Sequence, residues 1–250
     1  MFFINVQNMN PKNCCCAKEL LLIPCCGSKT SGGIPGREGR KAEDFLYGHS
    51  RKQLERLRGD VATSFGLTFE GARLPAFERY SGNLYKNISG ETWDQLKQNR
   101  EVEMVIVSAL YGLALWDEYI VDYNVAMSDN IYPRRKLKTW WSQHGLGNII
   151  ASVLVQNKIG IVRSFLSKDY RQALTTPLSG WDGTWLQYEY PGLGSGSNYY
   201  RGTDVTNVLH EKAIFCPVCG SRKTYLTTSE QFECLECGGR YGSPSYTTTD

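Results

Sequence analysis

Glu19-Leu20-Leu21-Leu22-Ile23-Pro24-Cys25-Cys26-Gly27-Ser28-Lys29-Thr30 decides the class of fold. Four consecutive apolar residues without polar alternation suit a strand covered on both faces, and Pro24 stops the run. A strand of that kind belongs to a mainly parallel central sheet flanked by helices, an α/β fold. The loop after it opens at the carboxyl edge of the sheet, where ligands bind in this architecture. Cys25, Ser28 and Lys29 in that loop offer a thiol, a hydroxyl and an ammonium to a ligand. The competing reading of the same residues is an ordinary polar turn.

Moving outward, Ala42 to Arg58 carries Phe45, Leu46, Leu54 and Leu57 at helical spacing. A helix is also expected from Gly90 to Asn99, followed by the strand Met104-Val105-Ile106-Val107, which ends in Ser108-Ala109-Leu110-Tyr111-Gly112-Leu113. The helical region opened by Arg134 has Gly145 and Gly147 as its break. Ile159-Gly160-Ile161-Val162 reads as a third buried strand, with a turn and helix over Ser167 to Leu174. The aromatics from Trp181 to Tyr200 offer an aromatic surface for bases, with a small accessory sheet as the commoner explanation. Gly192-Leu193-Gly194-Ser195-Gly196-Ser197 among them has no buried strand before it in this reading, so it is taken as a flexible loop.

The chain has 250 residues, 41 % hydrophobic, and a net charge of +3. It can bury a sizeable core, and its weakly basic balance means that any polyanion contact comes from a local patch. No apolar run approaches a membrane span and the opening stretch lacks the apolar block of a secretory signal, so a cytoplasmic location is expected. Three histidines without partners at catalytic or metal spacing argue against serine–histidine or histidine–metal chemistry.

Cysteine spacing divides the chain. Cys216-Pro217-Val218-Cys219 and Cys234-Leu235-Glu236-Cys237, each followed by glycine, place four thiolates as one tetrahedral zinc site requires. All four ligands come from protein, so the Zn2+ is structural. Three segments follow: a flexible 1–18 containing Cys14-Cys15-Cys16, an α/β domain over 19–210, and a small four-cysteine zinc ribbon over 211–250.

Three further segments carry a resemblance. Arg79-Tyr80-Ser81-Gly82-Asn83-Leu84-Tyr85, Ser108 to Leu113 with Asp117 and Met127 following, and Leu166-Ser167-Lys168-Asp169-Tyr170 resemble the three recurrent motifs of the YaaA family of peroxide-stress proteins. Leu22-Ile23-Pro24-Cys25 with Lys29 is similar to a related group of bacterial and phage proteins and to the cysteine and lysine motif of archaeosine synthases. The matches span about Leu20 to Leu174, in their usual order. The resemblance implies nucleic acid as partner, DNA favoured over RNA, because YaaA proteins are associated with DNA binding and oxidative damage and archaeosine synthases act on a base in tRNA.

A base pocket needs a face to stack on, groups to read the base edge, and a means of stabilising charge at the bond that reacts. Tyr80, Tyr85 and Tyr111 are candidates for stacking, Ser28, Ser81 and Ser108 for hydrogen bonding, with Gly112 in the same loop, and Lys29 or Arg79 for a phosphate or leaving group. Asp117, with Glu118 and Asp122 as substitutes, would stabilise a cationic sugar during N-glycosidic cleavage. The catalytic set is then Asp117, Lys29 and Ser108, while Arg222, Lys223 and Arg240 of the ribbon grip the polymer. The expected function is an enzyme acting on a nucleobase, as a DNA glycosylase or a base-modifying enzyme. The alternative is a non-catalytic DNA-binding or stress-response protein. The competing roles are core packing for Tyr85, a turn cap for Asp117 and a surface ion pair for Arg79.

Overall fold

The computed structural model describes residues 3–7, 18–99, 101–131, 134–174, 180–190, 192–209, 224–226, 232–234, 238 and 240–241. Leu20 to Ile23 are at most 1 % exposed and lie inside a six-stranded sheet. Its strands are β1 (Phe3–Gln7), β2 (Lys18–Pro24), β3 (Val102–Ser108), β4 (Gly112–Leu115), β5 (Ile159–Ser164) and β6 (Thr184–Glu189), in the order β1-β6-β5-β2-β3-β4. The inner four are parallel, and β1 and β4 close the two edges antiparallel. Each buried aliphatic side chain of β2 stabilises the fold by about 1.5–3 kcal/mol. Only a strand with both faces covered collects that energy at four successive positions.

The helices are α1 (Gly48–Ser64), α2 (Ala76–Arg79), α3 (Asn83–Lys86), α4 (Gly90–Gln98), α5 (Leu137–Gln143), α6 (Leu146–Gln156), α7 (Lys168–Gln172) and α8 (Ser197–Leu209). The helix expected from Ala42 is instead a 3-10 turn over Ala42–Phe45 followed by α1, because Gly48 sits in the left-handed region at φ 59°. Gly145, at φ 84°, separates α5 from α6, whereas Gly147 lies within α6. Gly202 on α8 faces α3 so closely that a Cβ there would stand 2.2 Å from the Leu84 carbonyl oxygen, so glycine is what lets the two helices meet. Among the described residues no helix is long and apolar enough to cross a membrane.

Two sequence expectations change. Phe3–Gln7 lies in the segment expected to be flexible, yet it pairs in register with β6 from Phe3↔Glu189 to Gln7↔Trp185. Thr184–Glu189, expected in an accessory sheet, is a parallel strand of the main one. Gln187 explains the disguise, because a buried polar residue interrupts the apolar run. Its Nε2 donates to the carbonyls of Ser164 (3.1 Å) and Leu166 (3.3 Å).

A buried ionic knot ties the α1 side of the domain to the β3–β4 hairpin. The Arg58 guanidinium bonds Glu43, lies 2.9 Å from Glu118 Oε1, and donates to the Tyr111 carbonyl at 2.9 Å and to that of Leu113. Glu118 Oε2 accepts the amides of Ala42 (2.8 Å) and Leu115 (3.1 Å). Burial pushes the Glu118 carboxyl above the usual carboxylate range, and Arg58 opposes that shift. Arg58→Met strands two buried carboxylates and is expected to lower unfolding free energy by about 3–5 kcal/mol in a urea titration. A loss below about 1 kcal/mol would show that the knot contributes little.

Candidate functional site

The chain leaves β2 toward β3 on one side and returns from the far side through β5, so β2 and β5 are neighbours whose connections diverge. That divergence opens a crevice beyond their carboxyl ends. The residues after the two strands meet across it: Tyr170 Oη donates to the Cys25 carbonyl at 2.9 Å and lies 3.2 Å from Cys25 Sγ. Two motifs that sequence placed 145 residues apart thus form one wall.

A short ladder fixes the rest of the loop. Lys29 pairs with Tyr80, the Thr30 amide donates to the Arg79 carbonyl at 2.8 Å, and the Ser81 amide donates to the Ser28 carbonyl at 3.0 Å. Lys29 Nζ donates to the Cys26 carbonyl (3.1 Å) and sits 4.1 Å from the centre of the Tyr123 ring. It makes no ion pair with a described residue. Burial lowers its pKa, opposed by the nearby thiols and by Asp122. Tyr123, which the sequence reading did not single out, belongs to a buried hydroxyl cluster. Its Oη lies 2.7 Å from Tyr80 Oη and 2.8 Å from Ser108 Oγ, and Ser108 Oγ also accepts the Tyr111 amide at 3.1 Å. Burial keeps both phenols protonated, with pKa values well above the ordinary one.

Beside this cluster a cleft of about 410 Å³ is lined by Cys25, Cys26, Ser28, Ser81, Lys86 and Asn198 among others. Cys26 Sγ faces it, accepting the Gly82 amide at 3.3 Å and donating to the Ser28 carbonyl at 3.0 Å. Burial raises the Cys26 pKa, so this thiol is held protonated.

The remaining candidates have other surroundings. Tyr80, Tyr85 and Tyr111 are 2 %, 5 % and 5 % exposed, so their rings pack in the core and none presents a face for a base. Tyr85 Oη donates to the Pro24 carbonyl at 3.1 Å, and Tyr111 Oη accepts the Val121 amide at 3.0 Å. Gly112 adopts φ 68° to turn β3 into β4 beneath Trp141. Arg79 is fully buried and donates to the carbonyls of Thr30, Gly32 (2.9 Å), Ala72 (3.0 Å) and Ile120 (3.4 Å), which makes it a loop clamp rather than a phosphate ligand. Asp117 stands apart, because β4 runs antiparallel to β3 and carries the chain to the amino edge. There Arg40 Nε lies 2.9 Å from Asp117 Oδ2 and Arg40 Nη1 3.0 Å from Glu103 Oε2. Glu118 is engaged by Arg58, and Asp122 is the candidate carboxylate whose charge reaches Lys29.

Among the described residues no group of three or more His, Cys, Asp or Glu side chains is placed to hold a metal ion. Cys14, Cys15, Cys16, Cys216, Cys219, Cys237, Arg222 and Lys223 lie outside the described residues. Cys234 ends the strand Phe232–Cys234 of a small antiparallel sheet, and its side chain also lies outside them.

Tyr123→Phe removes the hydroxyl that both Tyr80 and Ser108 contact and is expected to cost about 1–2 kcal/mol of stability by chemical denaturation. An unchanged midpoint would mean that the three hydroxyls are not coupled.

No curated protein matches the chain. The profile of the family described as peroxide stress protein YaaA matches residues 46–189, a span that includes Tyr80, Ser108 and Tyr170 and stops short of the Cys25–Lys29 loop. That match covers more than half of the chain, which belongs to the peroxide stress protein YaaA family.

Proposed function

We propose that this member of the peroxide stress family acts on nucleic acid through the carboxyl edge of its sheet. One observation carries the reading: Lys29 is an ammonium without an ion-pair partner among the described residues, fixed over Tyr123 at the switch point and beside a polar cleft. A half-buried cation in that position gains most from an anionic ligand, and the phosphate backbone supplies one. In fluorescence anisotropy with short DNA, Lys29→Met is expected to weaken binding about tenfold and to flatten the salt dependence. DNA affinity equal to the unmodified protein's at every salt concentration would remove Lys29 from the interface.

A second reading, base chemistry of the glycosylase kind, draws support from the same side chain. Burial lowers the Lys29 pKa, which brings the uncharged amine nearer to hand at neutral pH. Asp117 takes no part in it, since its partner is Arg40. Incubation with DNA and RNA carrying modified bases, followed by mass spectrometry for released or altered base, separates the two readings. Tight salt-sensitive binding with every base left intact leaves the stress-response reading alone.

The tail adds a structural zinc held by Cys216, Cys219, Cys234 and Cys237, with Arg222 and Lys223 toward the polymer. Support comes from the paired cysteine spacing and from three short antiparallel strands, Thr224–Leu226, Phe232–Cys234 and Arg240–Tyr241, a ribbon of the size such a metal nucleates. Metal analysis of the purified protein is expected to find a single zinc per chain, lost on Cys219→Ser. A metal-free protein with an intact ribbon would overturn the assignment.

A further inference from the structure

The glycine-rich stretch Gly192-Leu193-Gly194-Ser195-Gly196 is not the loop without a preceding strand that its sequence suggests. It leaves the carboxyl end of β6, a parallel strand of the central sheet, and runs through a 3-10 turn over Gly194–Gly196 into the thirteen-residue α8. Strand, glycine loop and helix follow in the order that brings the positive end of a helix to the ligand-binding edge. The amides of Gly196 and Ser197 donate to the carbonyls of Leu193 and Gly194 within the turn, so it is the helix field and Arg201, rather than those two amides, that would meet an anion there. Gly192 and Gly194 need glycine for their left-handed φ of 74° and 48°. Gly196 does not: its φ is ordinary, and no atom lies within 4 Å of where its Cβ would be. Its bare backbone faces open space, as a surface does when a ligand approaches it closely.

Arg201 is the second and independent observation. It is 7 % exposed, and its guanidinium folds back over the helix start, where Nη1 donates to Ser197 Oγ and, at 3.1 Å, to Asn198 Oδ1. The guanidinium carbon lies 4.6 Å from the centre of the Tyr190 ring, so Arg201 joins the residue entering the loop to the residue leaving it. Nε is buried without a hydrogen-bond partner, and Arg201 makes no ion pair with a described carboxylate. A second guanidinium, that of Arg171, is near enough to oppose its charge, while Arg171 itself pairs with Glu189. Arg79 is offset by four backbone carbonyls, whereas Arg201 has two neutral side-chain acceptors, both on Nη1, so an anion would complete it.

We propose that the Gly192–Gly196 loop, the start of α8 and Arg201 form a phosphate subsite. Asn198, which accepts from Arg201, also lines the cleft beside Cys26, so the subsite adjoins the site described above. In the nucleic-acid reading, on which this inference rests for the identity of its ligand, the subsite holds a backbone phosphate while the cleft faces the nucleoside. A free nucleotide offers the same chemistry.

The test uses the full chain and three probes at constant ionic strength: inorganic phosphate, a 5′-mononucleotide and a short single-stranded DNA. Phosphate is expected to raise the melting temperature and to bind by calorimetry, with chloride as control. Arg201→Gln is expected to abolish that binding. Because Arg201→Gln also disturbs a buried position, Gly196→Ala provides the independent check. It adds a methyl only on the open face, so the melting temperature is expected to stay unchanged while phosphate affinity falls about tenfold. On single-stranded DNA, Arg201→Gln is expected to reduce the slope of log K against log salt by about 0.7. Phosphate binding that depends on Arg201 without any DNA binding keeps the subsite, assigns it to a free nucleotide and sinks the nucleic-acid reading. DNA binding that needs Lys29 but ignores Arg201→Gln and Gly196→Ala overturns the subsite and leaves the other reading standing. Absence of phosphate binding to the unmodified protein overturns it directly.

Discussion

Everything at the carboxyl edge hangs on one buried charge. Arg79 donates to four backbone carbonyls drawn from three separate stretches of chain, at Thr30 and Gly32, at Ala72 and at Ile120. Removing a guanidinium from water is costly, and the cost is offset only while all these carbonyls stay in place, each charged hydrogen bond being worth about 1.5–3 kcal/mol net. The segments therefore cannot shift independently. Lys29 and Tyr80, joined by their ladder, and Tyr123, three residues beyond Ile120, keep their relation because Arg79 keeps the backbone that bears them.

The hairpin of β3 and β4 sets a second constraint, on which residues can cooperate. Ser108 and Asp117 are near neighbours in sequence, and a motif reading puts them in one site. With about 3.3 Å of rise per residue, the return strand carries Asp117 roughly a strand's length from Ser108, to Arg40 and Glu103. Tyr170, far away in sequence, is in contact with Cys25. Strand direction, rather than sequence distance, sorts the polar residues of this sheet into one edge or the other.

Much of the fold was legible because its inner strands speak plainly. β2 and β3 carry unbroken apolar runs, β5 one interrupted only by Gly160, and Gly145 announced the break between α5 and α6. The strands that escaped notice have less decisive patterns: β6 holds the buried Gln187, and β1 is an edge strand whose partner comes from the far end of the domain. Missing β6 hid the context of the glycine loop, since a glycine run gains meaning from the strand before it. At the candidate site, Lys29, Cys25 and Ser108 are legible as loop residues because they follow or end readable strands. Tyr123 escaped because it follows Tyr119–Val121, a short strand of a separate small sheet. Tyr80, Tyr85 and Tyr111 pack in the core, the competing role that the sequence offered for Tyr85 alone, because a phenol that satisfies buried groups looks in sequence like one that greets a ligand.

The position of β2 has a consequence for how the chain comes into being. Its hydrogen-bonded neighbours are β3 and β5, so during translation this strand, with its four consecutive apolar residues, leaves the ribosome before either neighbour has been made. It stays unpaired until residue 102 emerges, and its second flank stays open until residue 159. Long-range parallel pairing of this kind folds slowly and leaves adhesive surface uncovered. Over that interval the nascent chain carries uncovered apolar surface of the kind chaperones shield, and stalled or truncated products ending before β5 are expected to aggregate.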